Sequence, residues 1–180
     1  MKNRREMISL KYTSAQAAKL LRKLKEEHQL LLSEETNDRF FLAATGEDVE
    51  SLRPSYDFEK TQSALADLEA NIRKVKHAIN LFNCSTVVEG KTIDEIFVYL
   101  PQLQERRNKL SVMIGRRDKQ RARSTVMSRY SGQSAIIDYE YANYDIKKAE
   151  EFYRRVCDEI LTLQTSLDLA NTTGEIEIDL

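Results

Sequence analysis

The chain has no tryptophan, two prolines, five glycines and two cysteines among its 180 residues. So little Gly and Pro leaves too few turn residues for a protein of many short strands, and the plentiful Lys, Glu, Arg and Leu instead point to long helices. Cys84 and Cys157 are too few for a disulfide scaffold or a cysteine zinc site. No apolar run reaches the length of a bilayer span, and the opening MKNRREMISLKY lacks the apolar core of a secretion signal. These absences predict a soluble protein in the reducing cytoplasm, with no membrane partner. A formal net charge of −1 does not imply a general attraction to nucleic acid or lipid. Nucleic acid is therefore not an expected partner, and any electrostatic function must come from local clustering.

The usual catalytic signatures are missing too. There is no GxxxxGK phosphate loop and no GxGxxG turn. A ferritin-like di-iron site needs inward Glu and Glu-x-x-His pairs, but three residues before His77 stands Lys74. Cys84 and His77 lie seven residues apart on one helical face, roughly 10 Å along the axis, too far for proton transfer. The sequence predicts no enzyme, no cofactor and no metal site.

What is present is hydrophobic spacing at steps of three and four. Ala17, Leu21, Leu24, His28 and Leu31 keep it in a first segment, capped by Thr13 or Ser14. His28 falls on this apolar seam and reads as a partly buried histidine. Phe58, Thr61, Leu65, Leu68, Ile72, Val75, Ile79 and Phe82 keep it in a second, over more than three heptads. A stripe this narrow describes helix packed on helix through a coiled-coil-like seam. Thr92 opens a third helix, and Glu95 completes a capping box with it. Its seam runs Ile96, Leu100, Leu103, Arg107, Leu110 and Ile114, with Pro101 an expected kink. Ile146, Ala149, Tyr153, Val156, Ile160, Leu163, Leu167 and Ala170 form the fourth, capped by Asn143 or Asp145.

Helices are thus expected over 13–35, 57–84, 92–120 and 145–171. Short strands are expected at Met7–Tyr12, Arg39–Ala44 and Ala135–Tyr141, and in the alternating tail Glu175–Leu180. The fold class is mainly α: one domain over 1–180, an antiparallel four-helix bundle with long coiled-coil-like helices and a few short β-strands in the connectors and the C-terminal tail. That topology gathers Asn80, Asn83, Thr86, Asn171 and Thr172 at one pole. It gathers the acidic connector with Glu47, Asp48 and Glu50, and the basic connector after the third helix, at the other.

The basic connector breaks the pattern around it. Arg116, Arg117, Lys119, Arg121, Arg123 and Arg129 crowd a short span, with Asp118 as the nearby acid. Guanidinium forks match phosphate oxygens, hydroxyls add donors, and a tyrosine ring can stack on a base. Arg116, Arg117, Arg121, Arg123, Arg129, Tyr130, Ser131 and Ser134 therefore form a candidate cradle for a nucleotide or other anionic small molecule, bound or sequestered without catalysis. The alternative is a structural or protein–protein interaction module with no small-molecule ligand, its arginines paired with Glu47, Asp48 and Glu50. Homo-oligomerisation, at least to a dimer, is expected in either case. Leu81, Phe97, Tyr99 and Phe152 fall off the seams, and the alternating tail offers an edge that another chain could complete.

From about Leu65 to Thr173 the chain resembles the septicolysin-like family of bacterial and mobile-element helical proteins. The resemblance is carried by Ile79-Asn80, Asn83, Thr86 and Glu89-Gly90, then by the helix around Leu103–Leu110. Arg129-Tyr130-Ser131 with Ser134 and Ile136, and Asn171-Thr172-Thr173, complete it. Gly132-Gln133 and Ala135 depart from the family's usual turn, as does Thr172 from its usual aromatic. The resemblance implies a helical fold. The haemolysis suggested by the family name is not expected here, since neither a secretion signal nor a membrane-active segment accompanies it.

Overall fold

A computed structural model gives the fold, and the structure describes residues 9–121 and 139–180. Of these, 69% are helical, in five helices joined by short antiparallel strands. The chain divides into two compact units: Met1–Val88 with Leu167–Leu180, and Glu89–Ser166.

In the first unit, β1 (Ser9–Thr13) leads into α1 (Ser14–Asp38). Thr13 caps α1: its hydroxyl accepts from the Gln16 amide at 3.2 Å, and the Gln16 side chain accepts from the Thr13 amide at 2.9 Å. Two of the four orphan donors of the first turn are thereby satisfied. A short helix, α2 (Val49–Leu52), precedes α3 (Phe58–Ser85). Asp57 caps α3 through the Lys60 amide at 3.0 Å. The two long helices lie antiparallel, since cross-contacts move in opposite directions along them. His28 meets Glu69 at 3.3 Å, and Glu35 accepts from Gln62 at 2.7 Å and from Tyr56 at 2.9 Å. His28 is half-buried on the seam, as its spacing predicts.

The tail β6 (Glu175–Asp179) pairs antiparallel with β1, Lys11 opposite Glu177 and Tyr12 opposite Ile176. Its alternation places Ile176 and Ile178 in the core with Ala17, Leu24 and Val75. The tail finds one strand partner within its own chain, in a two-stranded sheet. Gly174 makes the turn possible: a Cβ there would stand 2.5 Å from the Phe82 ring and 2.8 Å from the Ala170 carbonyl.

The second unit begins at Glu89-Gly90, both with positive φ, 50° and 75°, the backbone of a tight two-residue turn. After the strands β2 (Val87–Val88) and β3 (Lys91–Thr92), α4 (Ile93–Ile114) runs unbroken through Pro101. The expected capping box is present. Glu95 accepts from the Thr92 amide at 2.7 Å and the Thr92 hydroxyl accepts from the Glu95 amide at 3.2 Å. The Thr92 amide, together with the Thr92 hydroxyl at 3.0 Å from the same carboxylate oxygen, holds the Glu95 carboxyl below the usual carboxylate range. α5 (Ile146–Thr173) starts at Asp145, which accepts from the Lys147 and Lys148 amides. It supplies residues to Ser166 to the second unit and from Leu167 to the first.

α4 and α5 also lie antiparallel. Ser166 donates to Glu89 at 2.8 Å, Tyr99 to Glu159 at 2.7 Å, and Tyr144 to the Met113 carbonyl at 2.8 Å. Ile93, Ile96 and Leu103 of α4, and Ala149, Val156, Ile160 and Leu163 of α5, are buried.

Two expected elements differ. Arg39–Ala44 is not a strand; Phe40 and Leu42 are exposed there, so its apolar letters fill no core. The third helix stops at Ile114 rather than 120, because the apolar seam ends there and Gly115 caps it with an amide bond to Ser111 at 3.3 Å. Residues 119–121 form a strand instead.

Candidate functional site

The described part of the basic connector is a small built structure. After Gly115, the Arg116 amide donates to the Met113 carbonyl at 3.2 Å and closes the helix. Strand β4 (Lys119–Arg121) then pairs antiparallel with β5 (Tyr139–Tyr141), in the register Lys119 to Tyr141, Gln120 to Glu140 and Arg121 to Tyr139. The Ala142 amide donates to the Asp118 carbonyl at 2.9 Å and extends the pairing by one step.

Period-two alternation sorts the ribbon into two faces. One carries Lys119, Arg121, Tyr139 and Tyr141. The Lys119 ammonium lies 4.2 Å from the Tyr139 ring centroid and 5.3 Å from that of Tyr141. The other face carries Gln120 and Glu140. One Glu140 oxygen accepts from Arg116 at 3.0 Å and from Gln120 at 2.6 Å.

Between this ribbon and the end of α4 lies a cavity of about 350 Å³. Val112 and Met113 give it an apolar floor, Tyr141 and Tyr144 aromatic walls, and Arg116 and Arg117 cationic edges. The bond from the Tyr144 hydroxyl to the Met113 carbonyl fixes one wall against the helix end. A second, more polar depression is lined by Arg116, Gln120, Arg121 and Glu140. The arrangement can offer a ligand cationic hydrogen-bond donors beside an aromatic surface. Among the described residues no group of three or more His, Cys, Asp or Glu is placed to hold a metal ion.

Of the expected cradle, Arg116, Arg117 and Arg121 are brought together here. Arg123, Arg129, Tyr130, Ser131 and Ser134 lie outside the described residues. Sequence reasoning missed Glu140 as the counter-charge, and Tyr141 and Tyr144 as cavity walls. The alternation of Tyr139-Glu140-Tyr141 marks a strand but not the partner strand whose register brings Glu140 beside Arg116. The acidic connector is engaged locally. Glu50 binds Arg53 through two bonds of 2.7 and 2.8 Å, which holds its carboxyl below the usual range. Glu47 accepts from the Ala44 amide, and Asp48 from the Glu50 amide at the start of α2.

No protein-family model matches this chain, and no curated protein matches it. Among solved structures it is similar to the crystal structure of a functionally unknown conserved protein from Corynebacterium diphtheriae. The TM-score is 0.53 at 16% identity, over 93% of this chain and 99% of that one. A likeness at this identity concerns the fold.

Proposed function

We propose that this protein is a non-enzymatic, cytoplasmic helical protein of septicolysin-like kind that binds or sequesters a phosphorylated small molecule or nucleotide at the end of α4. Its long helices, in the antiparallel four-helix arrangement expected from the sequence, are the frame, and self-association is part of the reading. The observation that carries it is the cavity with Arg116 and Arg117 at its edge and Tyr141 and Tyr144 as its walls. A guanidinium has five donors, and Glu140 takes one nitrogen of Arg116. The remaining donors, with those of Arg117, suit a phosphate, and the rings suit a planar base. Arg121, Arg123, Arg129, Tyr130, Ser131 and Ser134 belong to the same connector and are assigned to the same site.

One observation favours a second reading, a structural or protein–protein interaction module with no small-molecule ligand. Arg116 already has a carboxylate partner in Glu140, so part of the basic charge is satisfied within the connector. Native mass spectrometry with nucleotides, sugar phosphates and pyrophosphate added singly separates the two. A one-to-one adduct that disappears in Arg116→Ala/Arg117→Ala supports the site. Equal adducts in both proteins, or none in either, support the module.

A further inference from the structure

The connector between α1 and α3 presents an anomaly of a different kind. Phe40 is 80% exposed and Leu42 is 96% exposed, although burying either side chain fully is worth about 1.5–3 kcal/mol. Their neighbour Phe41 is half-buried, with the Arg53 guanidinium 5.3 Å from its ring centroid. Val49 and Leu52 are also exposed on the same connector. The sequence around them is acidic: residues 34–60 hold eight Asp and Glu against three Lys and Arg, with the Arg39 guanidinium 5.5 Å from the Phe40 ring centroid. Several exposed apolar side chains on one connector, with charged residues among them, mark an interaction surface. Its sign argues against the anionic surface of a lipid bilayer and for a cationic protein face.

The same chain carries such a face. On the β4–β5 ribbon, Lys119, Arg121, Tyr139 and Tyr141 are all exposed on one side. It offers two cations for the acidic connector and two rings for the exposed Phe and Leu. Tyrosine and arginine are also the residue types enriched at the centres of interfaces.

We infer that the 39–53 connector of one copy docks on the β4–β5 ribbon of a second copy, in a head-to-tail contact. The inference rests on the self-association proposed above and gives it two specific surfaces. Such a contact is heterologous: each copy uses one surface and leaves the other open, so assembly continues into a ring if the rotation closes and a filament if it does not. Its polar component weakens with salt, since exposed charges beyond a Debye length are screened.

Sedimentation velocity on the full chain tests this. Wild type should sediment faster as concentration rises, and less so in high salt. Phe40→Ser/Leu42→Ser and Lys119→Glu/Arg121→Glu should each remain monomeric. An equimolar mixture of the two variants should form a dimer and stop there, because each supplies the one surface that the other lacks. Circular dichroism checks that the variants are folded, and Lys119→Gln/Arg121→Gln replaces the charge-reversed pair if it is not.

Formation of that capped dimer supports the docking. Variants that associate as wild type does, or a mixture of folded variants that stays monomeric while wild type assembles, overturn the assigned surfaces and leave self-association standing. A wild type that is monomeric at every concentration overturns both.

Discussion

The carboxylate of Glu140 lies 3.0 Å from the guanidinium of Arg116, twenty-four residues earlier in the chain. The basic connector therefore contains its own counter-charge, delivered by the pairing of β4 with β5. Both side chains are about half exposed, so the pair contributes at most about 1 kcal/mol to stability. Its larger effect falls on the site, where it competes with an incoming anion for Arg116.

Glu140→Gln should then leave the melting temperature nearly unchanged while strengthening binding of a phosphorylated ligand. Removing an exposed opposing charge is worth up to about 1 kcal/mol, or roughly fivefold in affinity. Parallel calorimetric titrations of the two proteins check it. Weaker binding in Glu140→Gln would show that the glutamate serves the ligand instead of opposing it.

Gly174→Ala should be strongly destabilising. The added methyl meets the Phe82 ring at 2.5 Å and the backbone carbonyl of Ala170 at 2.8 Å. The ring can give way, but the carbonyl belongs to the last turn of α5, and overpacking of this kind costs about 1–3 kcal/mol. Urea denaturation measures the loss. A Gly174→Ala protein as stable as wild type would mean that the turn into β6 is looser than the packing around Phe82 implies.

Tyr99 gives a pH signature. Its hydrogen bond to Glu159, together with partial burial and the negative charge of that carboxylate, raises its ionisation above the ordinary tyrosine value. A raised folded-state value means that the stabilisation is complete below the ordinary tyrosine range. It is lost as pH rises through the folded value, since the unfolded chain releases its proton first. Tyr99→Phe should cost about 1 kcal/mol at neutral pH and should flatten the alkaline fall in stability. Absorbance titration of the phenolate provides the check, with Tyr56 as a second late-ionising group because of burial and its bond to Glu35.

Much of the helical frame was legible in the sequence. In α5, Ala149, Val156, Ile160, Leu163 and Leu167 are buried at the three-four spacing that the letters show. The Thr92–Glu95 capping box reads directly, because hydroxyl and carboxylate must stand three residues apart to serve each other's amides. The partner of β6 was not legible. Alternation says which face of a strand is buried, not which strand lies beside it, and Lys11 meets Glu175 across 164 residues of sequence.

The same gap hid part of the site. Crowded arginines are visible in any reading, whereas Glu140 becomes their neighbour only through the register of β4 with β5. The Phe40 region misled for another reason. An apolar run resembles a strand whether it faces a core or solvent, and here it faces solvent.

The most direct test of the account is isothermal calorimetry of the full chain against linear and cyclic nucleotides and pyrophosphate, at low and high salt, beside Arg117→Ala. Arg117 lines the cavity and has no carboxylate within ion-pair distance among the described residues, so its loss should spare the fold. The account predicts saturable binding by wild type that weakens with salt. Losing one charge-assisted contact of about 1.5–3 kcal/mol should weaken it tenfold or more in Arg117→Ala, at unchanged melting temperature. No heat with any of these ligands, or equal affinity in wild type and Arg117→Ala, would contradict it.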